Sequence, residues 1–221
     1  MSGRRKELEL KKQIKETRKN AIMDAAEELF LAKTYEATTM QEIADHAGYS
    51  KGTVYNHFKS KEELYLAIGI KAYDYIIETS KEFTKNEAPG LKQLMAIGYA
   101  YYDFSKKHPH YAMIFHDIGI KFPDIFSKQK AQLSKIELNY IEQSNNYRDI
   151  MVKVLGDAVK VKAIRSDKSP FMIGYILSTI TNAIIKELLE GPKMLGQFKL
   201  KADDVIDFVF EILADGLKPR E

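Results

Sequence analysis

Thr39-Met40-Gln41-Glu42-Ile43-Ala44-Asp45-His46-Ala47-Gly48-Tyr49-Ser50-Lys51-Gly52-Thr53-Val54-Tyr55-Asn56-His57-Phe58 is the stretch from which the rest of the chain can be read. Thr39, with Glu42 three residues on, is a capping box: hydroxyl and carboxylate each satisfy an orphan amide at the start of a helix. That helix is short and stops at Gly48, where a left-handed residue is needed. Ser50 is a good N-cap for a second short helix that ends near Phe58. Ile43, Ala44, Val54 and Phe58 fall on the inner side of the pair. Lys51, Thr53, Tyr55, Asn56 and His57 stay outside, and nearly all of them are hydrogen-bond donors. Gly52 among them leaves room for close approach. Two short helices about a tight turn, the second presenting donors, have the shape that enters a DNA major groove and reads base edges. The plainer alternative is a helical hairpin with a polar face.

The pattern continues outward in both directions. Upstream, Ile22, Ala25, Ala26, Leu29 and Phe30 repeat at helical spacing, which predicts a helix from about Thr17 to Lys33. Downstream, Ser60 caps a fourth helix, with Glu62 and Glu63 in the first turn, where the helix dipole favours carboxylates. Leu64, Ile68, Ala72, Tyr75 or Ile76, Thr79 and Phe83 are its expected inner face. Further helices are predicted over 91–107, 109–117, 123–162, 171–190 and 202–217. Pro109, Pro123 and Pro170 sit at first-turn positions, and Gly191–Pro192 closes the penultimate helix. No run alternates with period two between turn residues, so a sheet is not expected. The fold class is all-α, with about nine helices in total.

Composition sets the outer bounds. The 221-residue chain is 45% hydrophobic and 29% charged, enough apolar content for a substantial core, which excludes disorder throughout. It contains no cysteine, which excludes a disulfide framework or a thiolate metal site and fits a cytoplasmic location. Phe171–Ile185 is apolar but includes Gly174, Ser178, Thr179, Thr181 and Asn182, and falls short of the ~20 residues a spanning helix needs. No membrane association is expected. Arg4, Arg5 and Lys6 are not followed by the apolar region of a secretory signal. The net charge of +3 arises entirely within residues 1–61, the remainder being balanced. Such asymmetry points to a polyanionic partner for the N-terminal region.

The helix-turn-helix stretch resembles the TetR family of bacterial and archaeal transcriptional regulators. The resemblance is carried by Ala25-Ala26-x-x-Leu29-Phe30, by Thr38-Thr39-Met40-x-x-Ile43-Ala44, and by the continuous block Ala47–Leu64. It covers about residues 20–66. It implies that Thr39 and the first amides of its helix hold a phosphate, as helix N-termini do. Tyr55 and His57 match the family's phosphate-contacting pair, and Lys61 is expected to grip a neighbouring phosphate. Gln41, Lys51, Gly52, Thr53 and Asn56 occupy base-facing positions, with Ser50 at the head of the reading helix. Lys51 is the first choice as a sequence reader, because lysine on guanine O6 and N7 is a common specific contact. Tyr55 could instead be a core aromatic, and His57 an inert surface residue. Residues 4–19 extend the first helix, reach over the phosphate backbone or form a solvated tail.

The same resemblance divides the chain into a basic extension (1–19), a three-helix DNA-binding domain (20–66) and a helical bundle for effector binding and dimerisation (67–221). Ile173, Ile176, Leu177, Ile180, Ile184 and Leu188 form one apolar stripe, and Val205, Phe208, Val209, Ile212 and Leu213 another. Stripes on two consecutive helices can build a four-helix interface across a two-fold axis, or complete the core of one chain. The expected effector-binding residues are Tyr99, Tyr102, Tyr111, Phe115, Phe126, Tyr140, Met172 and Tyr175, since pockets are commonly lined by aromatic and deformable side chains. His108, His110 and His116 with Asp117 do not make a readable zinc set, and no metal or cofactor is expected. The chain lacks a glycine-rich phosphate loop, a nucleophile elbow and a metal-ligand helix motif, so an enzyme is not expected. The function that emerges is a homodimeric repressor, released from a palindromic operator in double-stranded DNA by a small, mainly apolar or aromatic effector. The competing readings are an effector-independent regulator with a fully packed C-terminal domain, and a helical adaptor with no DNA role.

Overall fold

The computed structural model describes residues 2–219. They form ten α-helices and two short 3-10 turns, with no strand among the described residues. The helices are α1 (Ser2–Lys33), α2 (Met40–His46), α3 (Lys51–His57), α4 (Lys61–Thr84), α5 (Leu91–Lys107), α6 (Pro109–Lys121), α7 (Lys135–Lys160), α8 (Pro170–Glu190), α9 (Pro192–Gln197) and α10 (Ala202–Leu217).

Three boundaries depart from the sequence expectation, each for a local reason. α1 begins at Ser2, so the basic residues before Thr17 are turns of the first helix. The predicted 123–162 helix is interrupted: Pro123–Phe126 and Lys130–Gln132 are 3-10 turns, and α7 starts only at Lys135. Ser134 sets that start, since the Glu137 amide donates to its Oγ at 3.2 Å while its own amide donates to Glu137 Oε2 at 2.7 Å. Pro192 opens the extra helix α9 at its first turn, which raises the count from about nine to ten.

The chain forms two compact units, the division falling within α4. The first holds the described residues up to Ile70 together with Lys128–Tyr140. Ile22, Ala26, Phe30, Ile43, Ala44, Val54, Phe58, Leu64 and Ile68 are buried in it. Its rings pack edge to face, Phe30 on Tyr65 at 5.1 Å and Tyr35 on Tyr65 at 4.8 Å between centroids.

The second unit holds Lys71–Ser127 and the residues from Ile141 onward. Its core joins Leu94 and Ile97 of α5, Val154, Leu155 and Ala158 of α7, Ile173 and Leu177 of α8, and Leu217 of α10. On α4 the buried line is Ala72, Tyr73, Ile76 and Ser80, while Phe83, expected inside, is exposed. The apolar stripe of α8 also splits. Ile173, Leu177 and Leu188 enter the core, whereas Phe171, Met172, Tyr175 and Ile176 stand in the open, as do Phe208 and Ile212 of α10. Counted through Lys186 and Glu187, Pro170–Leu189 is a 20-residue helix of membrane-spanning length and mean hydropathy, contrary to the sequence expectation. One side of it is nevertheless core of the helical bundle.

Candidate functional site

The turn between α2 and α3 is held by the residues that announced it. Thr39 caps α2 reciprocally: the Glu42 amide donates to Thr39 Oγ1 at 3.2 Å, and the Thr39 amide donates to Glu42 Oε2 at 2.9 Å. Gly48 ends the turn at φ +72°, a left-handed conformation that costs a side-chain-bearing residue ~1–2 kcal/mol. Ser50 caps α3 by accepting from the Thr53 amide at 3.2 Å, and the two hydroxyls lie 2.9 Å apart. With Ile43, Ala44, Val54 and Phe58 fully buried, the opposite side of α3 is fixed outward.

On that side Ser50, Lys51, Gly52, Tyr55 and Asn56 are exposed, and Thr53 and His57 are half-buried. Tyr55 is 38% exposed and is not part of the core. Lys51 Nζ lies 6.0 Å from the centre of its ring, at the outer limit of a cation–π contact. Gln41 is exposed on α2 and donates to Asp45 Oδ1 at 2.9 Å. His57 has its pKa lowered from the usual histidine value, first by partial burial and then by the positive charges of Lys15, Arg18 and Lys19 of α1.

Lys61 has a different occupation from the one its sequence position implies. Its ammonium donates to the carbonyls of Tyr35 at 2.6 Å and Thr38 at 2.7 Å, with Glu36 at 3.4 Å, and lies 4.3 Å from the Tyr35 ring centre. Three carbonyls and a ring face exhaust what an ammonium can bind. Lys61 therefore ties the α1–α2 loop to the start of α4 and is not available to a phosphate in this arrangement.

The second unit contains a partly open cavity of about 360 Å³. α5 contributes Leu94, Ile97, Gly98 and Tyr101; α7 contributes Ser144, Tyr147, Arg148, Met151 and Leu155. α8 adds Phe171, Gly174, Tyr175, Ser178, Thr181 and Asn182, with Tyr73, Phe115 and Phe210 from α4, α6 and α10. Phe115 gathers an aromatic end: Tyr73 meets it edge-on at 4.9 Å and Tyr147 at 6.0 Å. Arg148 is the charged residue on this lining, its half-exposed guanidinium also pairing with Asp149 at 3.4 Å. Burial pushes the Tyr101 phenol up to about 12, so it stays a neutral hydrogen-bond donor. Gly98 and Gly174 keep the lining thin; a Cβ on Gly98 would lie 2.7 Å from Phe210 Cζ.

Of the eight expected effector residues, Phe115 and Tyr175 line this cavity, and Tyr175 stands at its rim, 67% exposed. Tyr99 and Tyr102 lie one position round α5 from Gly98 and Tyr101, and donate instead to Asp207 and Asp203 of α10, each at 2.8 Å. Tyr111 packs against Tyr75 at 5.2 Å. Tyr140 is buried in the other unit, and Phe126 and Met172 face outward. Sequence reasoning by aromatic density missed Tyr73, Tyr147 and Arg148. The signal was in the spacing 144, 147, 148, 151, 155 on α7, a helical stripe that mixes polar with apolar residues. His108 stacks on Tyr75 at 4.4 Å, while His110 and His116 border a second hollow beside Lys186. Among the described residues no three His, Asp or Glu side chains converge as a metal-binding set.

Two short capped helices about a left-handed glycine, with the second turning polar side chains outward, define a helix-turn-helix protein. Residues 22–68 match the family described as "Bacterial regulatory proteins, tetR family". Over those residues the chain is similar to that family's DNA-binding domain. FasR, an HTH-type transcriptional activator of Mycolicibacterium smegmatis, is 32% identical over 118 residues, 53% of this chain and 54% of that protein. The match thus spans about half the length of FasR. KstR2, an HTH-type transcriptional repressor of Mycobacterium tuberculosis, is 25% identical over 152 residues, 68% of this chain and 71% of that one. Its solved structure shares the fold with a TM-score of 0.67 at 21% identity, covering 92% of this chain and 96% of that chain. FadR of Bacillus subtilis, solved in complex with stearoyl-CoA, gives 0.66 at 18% identity, covering 89% and 98%.

Proposed function

We propose that this chain is a dimeric, ligand-responsive transcriptional regulator of the cytoplasm, a repressor that leaves a palindromic operator when a mainly apolar or aromatic effector binds. The observation that carries the reading is the outward side of α3. A capped helix presenting Lys51, Thr53, Tyr55 and Asn56 outward suits contact with base edges and phosphates. Thr39 and Ser50 hold the two helix starts whose free amides suit phosphate oxygens.

The cavity favours an effector-responsive protein over one whose C-terminal domain is fully packed. Its walls are aromatic and aliphatic, with a few hydroxyls and one guanidinium. That suits an apolar body with an acidic or carbonyl end directed at Arg148. FadR, of the same fold, holds stearoyl-CoA. KstR2 is a repressor and FasR an activator, so the sign of regulation belongs to this proposal. Dimerisation is supported by the exposed apolar residues Met172, Ile176, Phe208 and Ile212, since such a patch in water marks an interaction surface. Selection of bound duplexes from a random pool tests the reading. It should enrich a palindrome with half-site centres ~34–36 Å apart or at a multiple of that. No enrichment, or a protein that sediments as a monomer with and without the selected duplex, overturns it.

A further inference from the structure

α1 is longer than its packing requires. At 1.5 Å per residue, Arg4 to Ile22 spans roughly 27 Å of helix before the buried part begins. At 100° per residue, Arg4, Lys11, Lys15 and Arg18 fall within about 60° of one another, with Lys12 and Lys19 on the adjoining flank. The same stripe continues into Ile22, Ala26 and Phe30, which are buried against the helix-turn-helix. One face of a single helix is therefore apolar where it is covered and basic for the four turns before that. Arg4, Lys11, Lys12, Lys15 and Arg18 are all exposed. Lys11 pairs with Glu7 at 2.6 Å and Lys19 with Glu16 at 3.7 Å, exposed bridges of a kind that contribute little and yield to a stronger anion.

The stripe also ends in a definite place. α1 is fixed against the helix-turn-helix by contacts of its own: Glu28 pairs with His46 of α2 at 2.6 Å, and Thr38 Oγ1 donates to the Leu29 carbonyl at 3.4 Å. The charges of Lys15, Arg18 and Lys19 are felt at His57, the last residue of α3. The basic face and the recognition helix thus meet at one edge of the first unit. A flexible tail would have to order itself on binding; a helix presents its charges already spaced.

We propose that Arg4, Lys11, Lys15 and Arg18 form a second DNA-backbone contact, which grips phosphates of the same duplex that α3 reads, outside the footprint of the helix-turn-helix. The occupant is argued from charge and placement: a row of cations at one-to-two-turn spacing, adjoining the helix that meets base edges. The inference rests on the DNA-binding reading above, and the test separates the two.

The measurement is fluorescence anisotropy of the full chain on a random-sequence duplex several helical turns long, across a range of KCl concentrations. Wild type is compared with Lys15→Gln/Arg18→Gln, with Arg4→Gln/Lys11→Gln, and with Lys6→Gln on the opposite face. Each phosphate contact removed should flatten the slope of log K against log salt by about 0.9. Both double variants should therefore flatten it by nearly two, while Lys6→Gln keeps the wild-type slope. The Arg4/Lys11 pair lies two or more turns from the buried part of α1, so its effect cannot come from unfolding the domain. Wild-type slopes in both double variants, with wild type binding normally, overturn the second contact and leave the helix-turn-helix reading intact. An equal loss in Lys6→Gln also overturns it, because net charge and not the stripe would then be responsible. Absence of wild-type binding to any duplex overturns both.

Discussion

Lys51 and His57 stand at opposite ends of one short helix, and the proposed function asks different chemistry of them. A lysine donating to a base edge discriminates between bases, whereas an imidazole beside a phosphate binds any sequence. Lys51→Ala should cost about 1–3 kcal/mol on the selected operator and relax preference at one position. His57→Gln should weaken operator and random duplex alike. Equal losses on both duplexes for both variants would reverse the assignment. The histidine carries a second consequence. In the free protein its pKa is held below the usual histidine value, through partial burial and then through Lys15, Arg18 and Lys19. A phosphate placed beside it favours the charged form and raises that pKa, so binding takes up a proton. Affinity for DNA should accordingly rise as pH falls through and below the usual histidine range, and His57→Gln should flatten that dependence. Lys61 belongs to a different class. Removing its ammonium leaves the Tyr35 and Thr38 carbonyls without their partner. Lys61→Met should lose about 1–3 kcal/mol of stability in urea unfolding, with the salt slope of DNA binding unchanged. A slope lower by about 0.9 would restore it as a phosphate ligand.

At the scale of the element, α2 and α3 have seven residues each, too short to persist alone in water. Caps, the turn glycine and four buried side chains make them helices. Thr39→Ala removes one half of the capping box and should destabilise the first unit by roughly 0.5–2 kcal/mol, measured by urea unfolding. Thr39→Ser, which keeps the hydroxyl, should restore most of that stability. If Thr39→Ala lowers DNA affinity beyond what the Ser variant loses while stability is matched at low temperature, the residue also meets phosphate directly. α1 shows the same logic at greater length. Its periodicity continues without a break from a buried stretch into an exposed one, so residues with no core to face remain helical.

For the whole molecule the question is how an occupant of the cavity reaches α3. α4 is the continuous element between the two, from Lys61 beyond the recognition helix to Tyr73 on the cavity wall. An effector that binds the DNA-incompetent arrangement more tightly shifts the population towards it. Coupling of about 1–3 kcal/mol suffices, and changes operator affinity by roughly 5–150-fold. By reciprocity, operator must weaken effector binding by the same factor. Titrating a fatty-acyl or aromatic acid with and without the selected duplex measures it. Identical affinities would make the ligand an occupant of the cavity without being an inducer. Arg148→Ala should weaken an acidic ligand more than its neutral amide, since the guanidinium is the charged group on the lining.

What the sequence determined by itself is local. Thr39 with Glu42, Gly48, Ser50 and Ser60 act within four residues of their own position. The same range covers the 3.6-residue spacing of Ile22 to Phe30, so helix starts, stops and inner faces around the recognition element were legible without coordinates. The α-helical class and the likeness of residues 22–68 to the tetR-family domain followed from the same residues. Where a face meets a neighbour is a different kind of fact. Tyr99 and Tyr101 sit two positions apart on α5, equally aromatic. Only the placement of α10, with Asp207 within hydrogen-bonding reach, turns the first away from the cavity and leaves the second on its wall. Ile176 and Leu177 are adjacent and equally apolar, yet one is exposed and the other is core. Lys61 reads as a surface cation until the loop carbonyls that surround it are seen. In each case the deciding energy lies in contacts between elements distant in sequence. Composition and period carry no record of those contacts, because they state which residues share a face and not what that face will touch.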